Sequence, residues 1–157
     1  MMDPRGKAFV AAIDKEELVA LTQDLVRIDS VIRPETGGTE KEVVRFIVGW
    51  LRREVGIEPL VEEVVPGREN IILTLDSGKP GPCLMIEGHT DVVSEGDRTS
   101  WIHDPFGAEI VDGKLYGRGS CDMKAGVAMA MVIAKTFAKT MESWAGKLKL
   151  EIGRAHV

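Results

Sequence analysis

The chain has 157 residues, 44% of them hydrophobic and 29% charged, with a formal net charge of −5. That length and apolar share suit one ordinary domain with a real core and argue against disorder. A mild acidic excess without a basic stripe argues against nucleic acid as the main partner. The longest strictly apolar run, residues 127–134, is far too short to cross a bilayer. Residues 8–13 are too short an apolar stretch for a secretory signal. Two cysteines, Cys83 and Cys121, supply no disulfide framework, so the expected compartment is the reducing cytoplasm. Seventeen glycines imply several turns with positive φ, often where backbone approaches a ligand.

In chain order, Asp14-Lys15-Glu16-Glu17 has the form of a capping box, with Ile13 and Leu18 placed as a hydrophobic staple. Leu18, Leu21, Leu25 and Ile28 recur on one face and predict a helix to about Arg27. Residues 31–38 contain Pro34, Gly37 and Gly38 and read as a loop. Thr39 with Glu42 forms a second capping box, opening a helix that turns Val43, Phe46, Ile47, Trp50 and Leu51 inward, with Gly56 as its C-terminal cap. Residues 57–65, 70–76 and 83–87 read as strands separated by Pro66-Gly67 and the 78–82 turn. Residues 108–111 and 114–116 flank Asp112-Gly113, a tight-hairpin signature. A long helix is predicted over 122–139, with Met123, Met129 and Met131 in the core, and a last strand over 147–152. The fold class is α/β, a layered sheet with flanking helices.

Two stretches carry candidate chemistry. Gly88-His89-Thr90-Asp91 follows directly on an apolar strand, and ligands of α/β sheets gather beyond the carboxyl ends of strands. An imidazole there can bind a metal while a carboxylate two residues on holds the other ring N–H and fixes the tautomer. Taken alone, H-x-D reads more readily as a solvated loop. The second stretch, residues 117–126, opens the long helix and places Asp122 where the macrodipole and free N–H groups favour a carboxylate. The plain alternative is that Asp122 only caps the helix. This stretch departs from G-x-G-x-x-G because Asp122 would repel a pyrophosphate, and it lacks the end of a P-loop. Ser120 is not in a nucleophile elbow. Cys121 could act as a thiolate near a helix N-terminus, but a small packing role is the more common one. Trp101, Phe106 and Tyr116 read as aromatic packing around the hairpin, and His103 as exposed loop.

Residues 88–93 (Gly-His-Thr-Asp-Val-Val), Trp101, Asp104-Pro105-Phe106, residues 112–120 (Asp-Gly-Lys-Leu-Tyr-Gly-Arg-Gly-Ser) and Asp122-Met123-Lys124 stand in a telling order and spacing. Together they resemble the di-zinc amidohydrolase and exopeptidase family of acetylornithine deacetylase, succinyl-diaminopimelate desuccinylase, aminoacylase and the glutamate carboxypeptidases. The resemblance runs over residues 14–152 and implies the amino-terminal part of a zinc-exopeptidase-like catalytic domain. It implies His89 as ligand of one metal ion, Asp122 as a bridge between two, and Asp91 as the catalytic-site residue that orients the His89 ring. It further implies two divalent ions as cofactors, Zn2+ with Co2+ or Mn2+ as alternatives. Such a pair about 3.5–4 Å apart shares a water and polarises an amide carbonyl. The implied substrate is a small N-acyl amino acid or peptide, with deacetylase or desuccinylase chemistry favoured over carboxypeptidase. Neither nucleic acid nor membrane is an expected partner, and family members often dimerise through a domain without a counterpart here.

The family's general base stands in a Glu-Glu pair after the strand that 147–152 resembles, and its second glutamate ligates zinc. This chain instead reads Gly153-Arg154-Ala155-His156-Val157. The later carboxylate and histidine ligands have no counterpart either, and His156 is not placed to replace the latter. Zinc sites normally have at least three protein ligands, so the polypeptide as written is expected to be inactive. Residues 152–157 also translate ATC GGA AGA GCA CAC GTC, the start of a common sequencing-library adapter. The expected organisation is a partial metallohydrolase catalytic domain over 1–152 and a non-native tail over 153–157. A reading of another class is a non-catalytic α/β module that binds a metal or an anionic ligand through the same loops.

Overall fold

The computed structural model describes residues 3–33, 35–37 and 39–153. Pro34 and Gly38 of the expected loop, and residues 154–157 of the expected tail, lie outside them. A first helix, α1 (Pro4–Ala11), was not signalled by apolar periodicity. It is set by its start, where Asp3 accepts the Gly6 N–H at 2.7 Å and Pro4 takes the first turn. Phe9 then packs on Phe137 with ring centroids 4.7 Å apart.

Helix α2 (Lys15–Arg27) begins as its capping box predicts, with Asp14 Oδ1 accepting from the N–H groups of Glu16 at 2.9 Å and Glu17 at 3.0 Å. Helix α3 (Lys41–Val55) starts later than its capping box predicts. Thr39 Oγ1 reaches only the Lys41 N–H, at 3.4 Å, and Glu40 occupies the cap position without capping. The reason is tertiary, because the Glu40 carboxylate is fully buried among other partners. Gly56 ends α3 in the left-handed region, with φ 77°.

The strands are β1 (Leu60–Val65), β2 (Arg68–Asp76) and β3 (Cys83–His89). A small hairpin, β4 (Glu109–Val111) and β5 (Lys114–Tyr116), turns at Asp112-Gly113, both with positive φ. Helix α4 (Ala125–Lys139) and β6 (Lys147–Gly153) complete the described chain. Sheet order is β1-β2-β6-β3, antiparallel at β1/β2 and β2/β6 and parallel at β3/β6. The last strand is thus central, and β1 and β3 are the edges of the described sheet. Alternation explains the layers. Ile71, Leu73 and Leu75 of β2 face Ile152, Leu150 and Leu148 of β6, all buried under α2, α3 and α4. Thr74, Asp76 and Lys147 face the open side and are exposed.

Two further expectations need correction. Helix α4 starts at Ala125 rather than Asp122, because Asp122 (φ −128°, ψ 97°) and Met123 (φ −138°, ψ 36°) are not helical, and the peptide between them is cis. Met131 is core and Met123 packs against it, but Met129 is 50% exposed, since its position on α4 turns away from the sheet.

Candidate functional site

Because β3 and β6 run parallel, their carboxyl ends emerge together, with His89 beside Gly153. The turn after β3 is held by several hydrogen bonds. The Thr90 N–H donates to Gly153 O at 2.9 Å, Ser30 Oγ donates to Thr90 O at 2.6 Å, and the Val92 N–H reaches Ser30 O at 3.4 Å. A second turn, residues 117–124, faces it. Gly119 there has φ 79°, and a Cβ on it would stand 2.6 Å from Val92 Cγ1, so only glycine lets the turns approach this closely. The turn is anchored from below by Lys124, which is buried and donates from Nζ to Ile28 O at 2.6 Å. Burial lowers its pKa to about 8, with nearby Asp29 acting in the opposite sense.

These turns bring the three sequence-predicted residues together. His89 Nε2 lies 3.2 Å from Asp122 Oδ1. On the other side of the ring, Nδ1 lies 3.0 Å from the Asp91 carbonyl oxygen and 3.4 Å from Asp91 Oδ1. Asp122 is the accessible partner, its side chain 86% exposed against 5% for Asp91. Asp122 does not cap a helix; its extended backbone swings the carboxylate toward His89 instead.

Two ligands of a tetrahedral zinc ion, each about 2.0–2.1 Å from the metal, stand about 3.3 Å apart. The His89–Asp122 pair fits that spacing. Among the described residues no group of three His, Cys, Asp or Glu side chains is placed to hold an ion. A cleft of about 550 Å³ opens beside the pair, lined by His89, Glu87, Glu151 and Asn70 among others, and a smaller one of about 160 Å³ runs between Asp91 and Asp122. Pattern reading did not single out Glu87 and Glu151. Their register, directly opposite on β3 and β6, is what brings them to the cleft.

Other residues depart from expectation. Cys121 is exposed on the wall of the small cleft, so it is no packing residue. His103 is not free loop; its ring packs on Tyr116 at 4.3 Å and Nδ1 lies 3.0 Å from Glu109 Oε2. The aromatic segment packs as expected, with Arg118 over Trp101 and Arg98 over Phe106. Glu40 and Arg68, which no motif marked, reach the site through Thr90 and Asp91. No signal within one segment could have found them, because the contact spans α3, β2 and the turn after β3.

The described chain is a mixed sheet layered under helices, with the His89–Asp122 pair beyond the carboxyl end of its parallel strands. Residues 85–152 match the model of peptidase family M20/M25/M40. The chain is 37% identical over 134 residues to succinyl-diaminopimelate desuccinylase of Rhodospirillum centenum, an alignment covering 85% of this chain and 34% of that protein. Its fold superposes on an M20 family metallo-carboxypeptidase from Sulfolobus solfataricus with a TM-score of 0.76 at 18% identity, over 87% of this chain and 30% of that one. It also matches a dinuclear metal binding M20 peptidase of Bacillus subtilis, with a TM-score of 0.58 at 20% identity, over 95% of this chain and 36% of that one. Over residues 85–152 the chain is thus similar to peptidase family M20/M25/M40, and it spans about a third of the length of these relatives. Among the described residues no helix is long and apolar enough to cross a membrane.

Proposed function

We propose that this chain supplies one half of the metal centre of a metal-dependent amidohydrolase that cleaves N-acyl or peptide amide bonds, in the manner of a desuccinylase or deacetylase. The observation that carries the reading is the convergence of His89 Nε2 and Asp122 Oδ1 at 3.2 Å from turns 33 positions apart (122 − 89). His89 would ligate one divalent ion and Asp122, with two accessible oxygens, would bridge to a second. Bound Zn2+, or Co2+ or Mn2+ in its place, would supply Lewis acidity toward the amide carbonyl and a water of lowered pKa. The protein's own part is to hold the ring and carboxylate in place before the ion arrives. Asp91 keeps the Nδ1 edge of His89 occupied, which leaves Nε2 directed at Asp122.

The substrate reading, a small N-acyl amino acid or peptide, is supported by the desuccinylase name of the sequence relatives. A cytoplasmic setting without nucleic-acid or membrane partners rests on the two lone cysteines and the acidic charge balance. In the domain reading, residues 1–152 form a partial catalytic domain and 153–157 a tail of non-native sequence, although Gly153 completes β6 and its carbonyl accepts from Thr90. Equilibrium dialysis against Zn2+ tests the metal site. Binding by the wild-type chain should weaken by more than about tenfold in both His89→Ala and Asp122→Ala. Equal binding by all three would refute the site. Two donors leave an ion largely solvated, so this polypeptide alone should not hydrolyse N-succinyl or N-acetyl amino acids. A polypeptide extended to the length of the relatives should do so. Metal binding without hydrolysis in the extended protein would instead favour the non-catalytic module.

A further inference from the structure

We propose that Arg68 and Glu40 are positioning residues that set which nitrogen of His89 is presented to the metal, an inference that rests on the metal-site reading above. The ring's orientation depends on Asp91, which faces Nδ1 with both its carbonyl and its carboxylate. Asp91 is almost wholly withdrawn from water, so its place must be set by protein groups. Arg68 Nη2 donates to Asp91 Oδ2 at 3.1 Å. Arg68 is itself held, its Nε donating to Glu40 Oε2 at 2.7 Å. Glu40 is fully buried, and its other oxygen accepts from Thr90 Oγ1 at 2.6 Å. The chain of contacts therefore closes on the residue between His89 and Asp91. Glu40, Arg68, Asp91 and the His89–Asp91 turn form one ring of contacts drawn from three elements.

Stability alone is a poor reason for this arrangement. Burying two carboxylates and a guanidinium costs desolvation that apolar side chains of similar volume would avoid. What the cluster supplies is geometry. Guanidinium N–H groups point in fixed directions, so Arg68 addresses two carboxylates at once, whereas an ammonium on a flexible stem would not hold both at set angles. Glu40 forgoes capping α3 to take part, which places the α3 start in the service of the His89 turn.

The test uses the full chain. Ring 15N spectra of metal-free protein, with the imidazole neutral, report the His89 tautomer, and Zn2+ titration reports affinity. The wild type should show predominantly the Nδ1–H tautomer, which donates toward Asp91. In Arg68→Met and Glu40→Gln that fraction should fall, and Zn2+ affinity should drop by about 10- to 100-fold. Arg68→Lys should recover little of either. Backbone amide spectra separate this from unfolding, and if Arg68→Met does not fold, Glu40→Gln and Arg68→Lys decide. Variants that fold and keep the wild-type tautomer overturn the proposal. So does unfolding of all three, which would make the cluster a determinant of the fold. A wild-type chain that binds no Zn2+ would sink the metal reading, while the tautomer comparison still decides the positioning claim.

Discussion

At the scale of single residues, the site is governed by two positions where chemistry admits little substitution. Gly119 combines a left-handed φ with a Cβ position already filled by Val92. Gly119→Ala should therefore destabilise the chain by about 1–3 kcal/mol, read as a lowered urea midpoint with an unchanged slope. It should also weaken Zn2+ binding, since Asp122 rides on the same turn. Thr90 is the other position. Its hydroxyl satisfies an oxygen of the buried Glu40, and Thr90→Val keeps the shape while leaving that oxygen without the donor. A loss of about 1–3 kcal/mol is expected, and a value near zero would mean that another group replaces the hydroxyl. The motif residues His89, Asp91 and Asp122 were visible in the sequence because their types and spacing are local. Glu40 and Arg68 were not, because a lone Glu before a helix and a lone Arg in a strand carry no signal until folding makes them neighbours.

At the scale of elements, one lysine links three helices. Lys135 on α4 lies 2.5 Å from Glu17 of α2 and 2.7 Å from Glu54 of α3, with its ammonium over the Trp50 ring. Hydrogen bonding from Lys135, then from Arg53, outweighs burial and holds the Glu54 carboxyl below its ordinary 4.5. Burial pulls Lys135 down, but its bonds to Glu17 and Glu54 more than offset this and leave it above 10.5. A depressed carboxylate stabilises the fold above its unfolded pKa, and a raised ammonium does so below its own. Lys135→Met should thus cost about 1 kcal/mol near neutrality. The difference from wild type should fade as pH falls below 4.5, and again above 10.5. Thermal melts across that range test it, and a pH-independent difference would assign Lys135 to packing instead.

The element boundaries that shifted did so for related reasons. Helix α2 began where its capping box predicts because, among the described residues, the Asp14 carboxylate has no partner that competes with the Glu16 and Glu17 N–H groups. Helix α3 did not, because the Glu40 side chain is drawn into the site. The start of α4 moved past Asp122 for the same kind of reason, its backbone being extended toward His89.

For the whole molecule, the decisive feature is that β6 lies inside the sheet. Among the described residues the edges of the sheet are β1 and β3, which carry Leu60 at 61% exposure, Leu84 at 53% and Met85. Unpaired edges with apolar side chains template association, so the chain should self-associate on expression. Leu60→Lys on β1 and Met85→Glu on β3, the latter opposite Lys149, should each raise the monomer fraction in size-exclusion chromatography. An unchanged elution profile in the double variant would locate association elsewhere, for example at the apolar groove between α2, α4 and the hairpin.

By itself the sequence determined the α/β class, most of the helices and strands, the Asp112-Gly113 hairpin and the two stretches that meet at the site. Each of these depends on periodicity, capping or turn chemistry within a few residues, which the chain expresses locally. Only the tertiary structure decided the rest. Strand order could not be read from hydrophobic alternation, because β6 alternates in the same way whether it is central or at an edge. Its insertion between β2 and β3 creates the parallel β3/β6 pair and sets Glu87 against Glu151, while the packing of α3 and β2 beside the turn after β3 joins Glu40 and Arg68 to Thr90 and Asp91. Those contacts join positions far apart in the chain, and their energies appear only once the sheet has assembled.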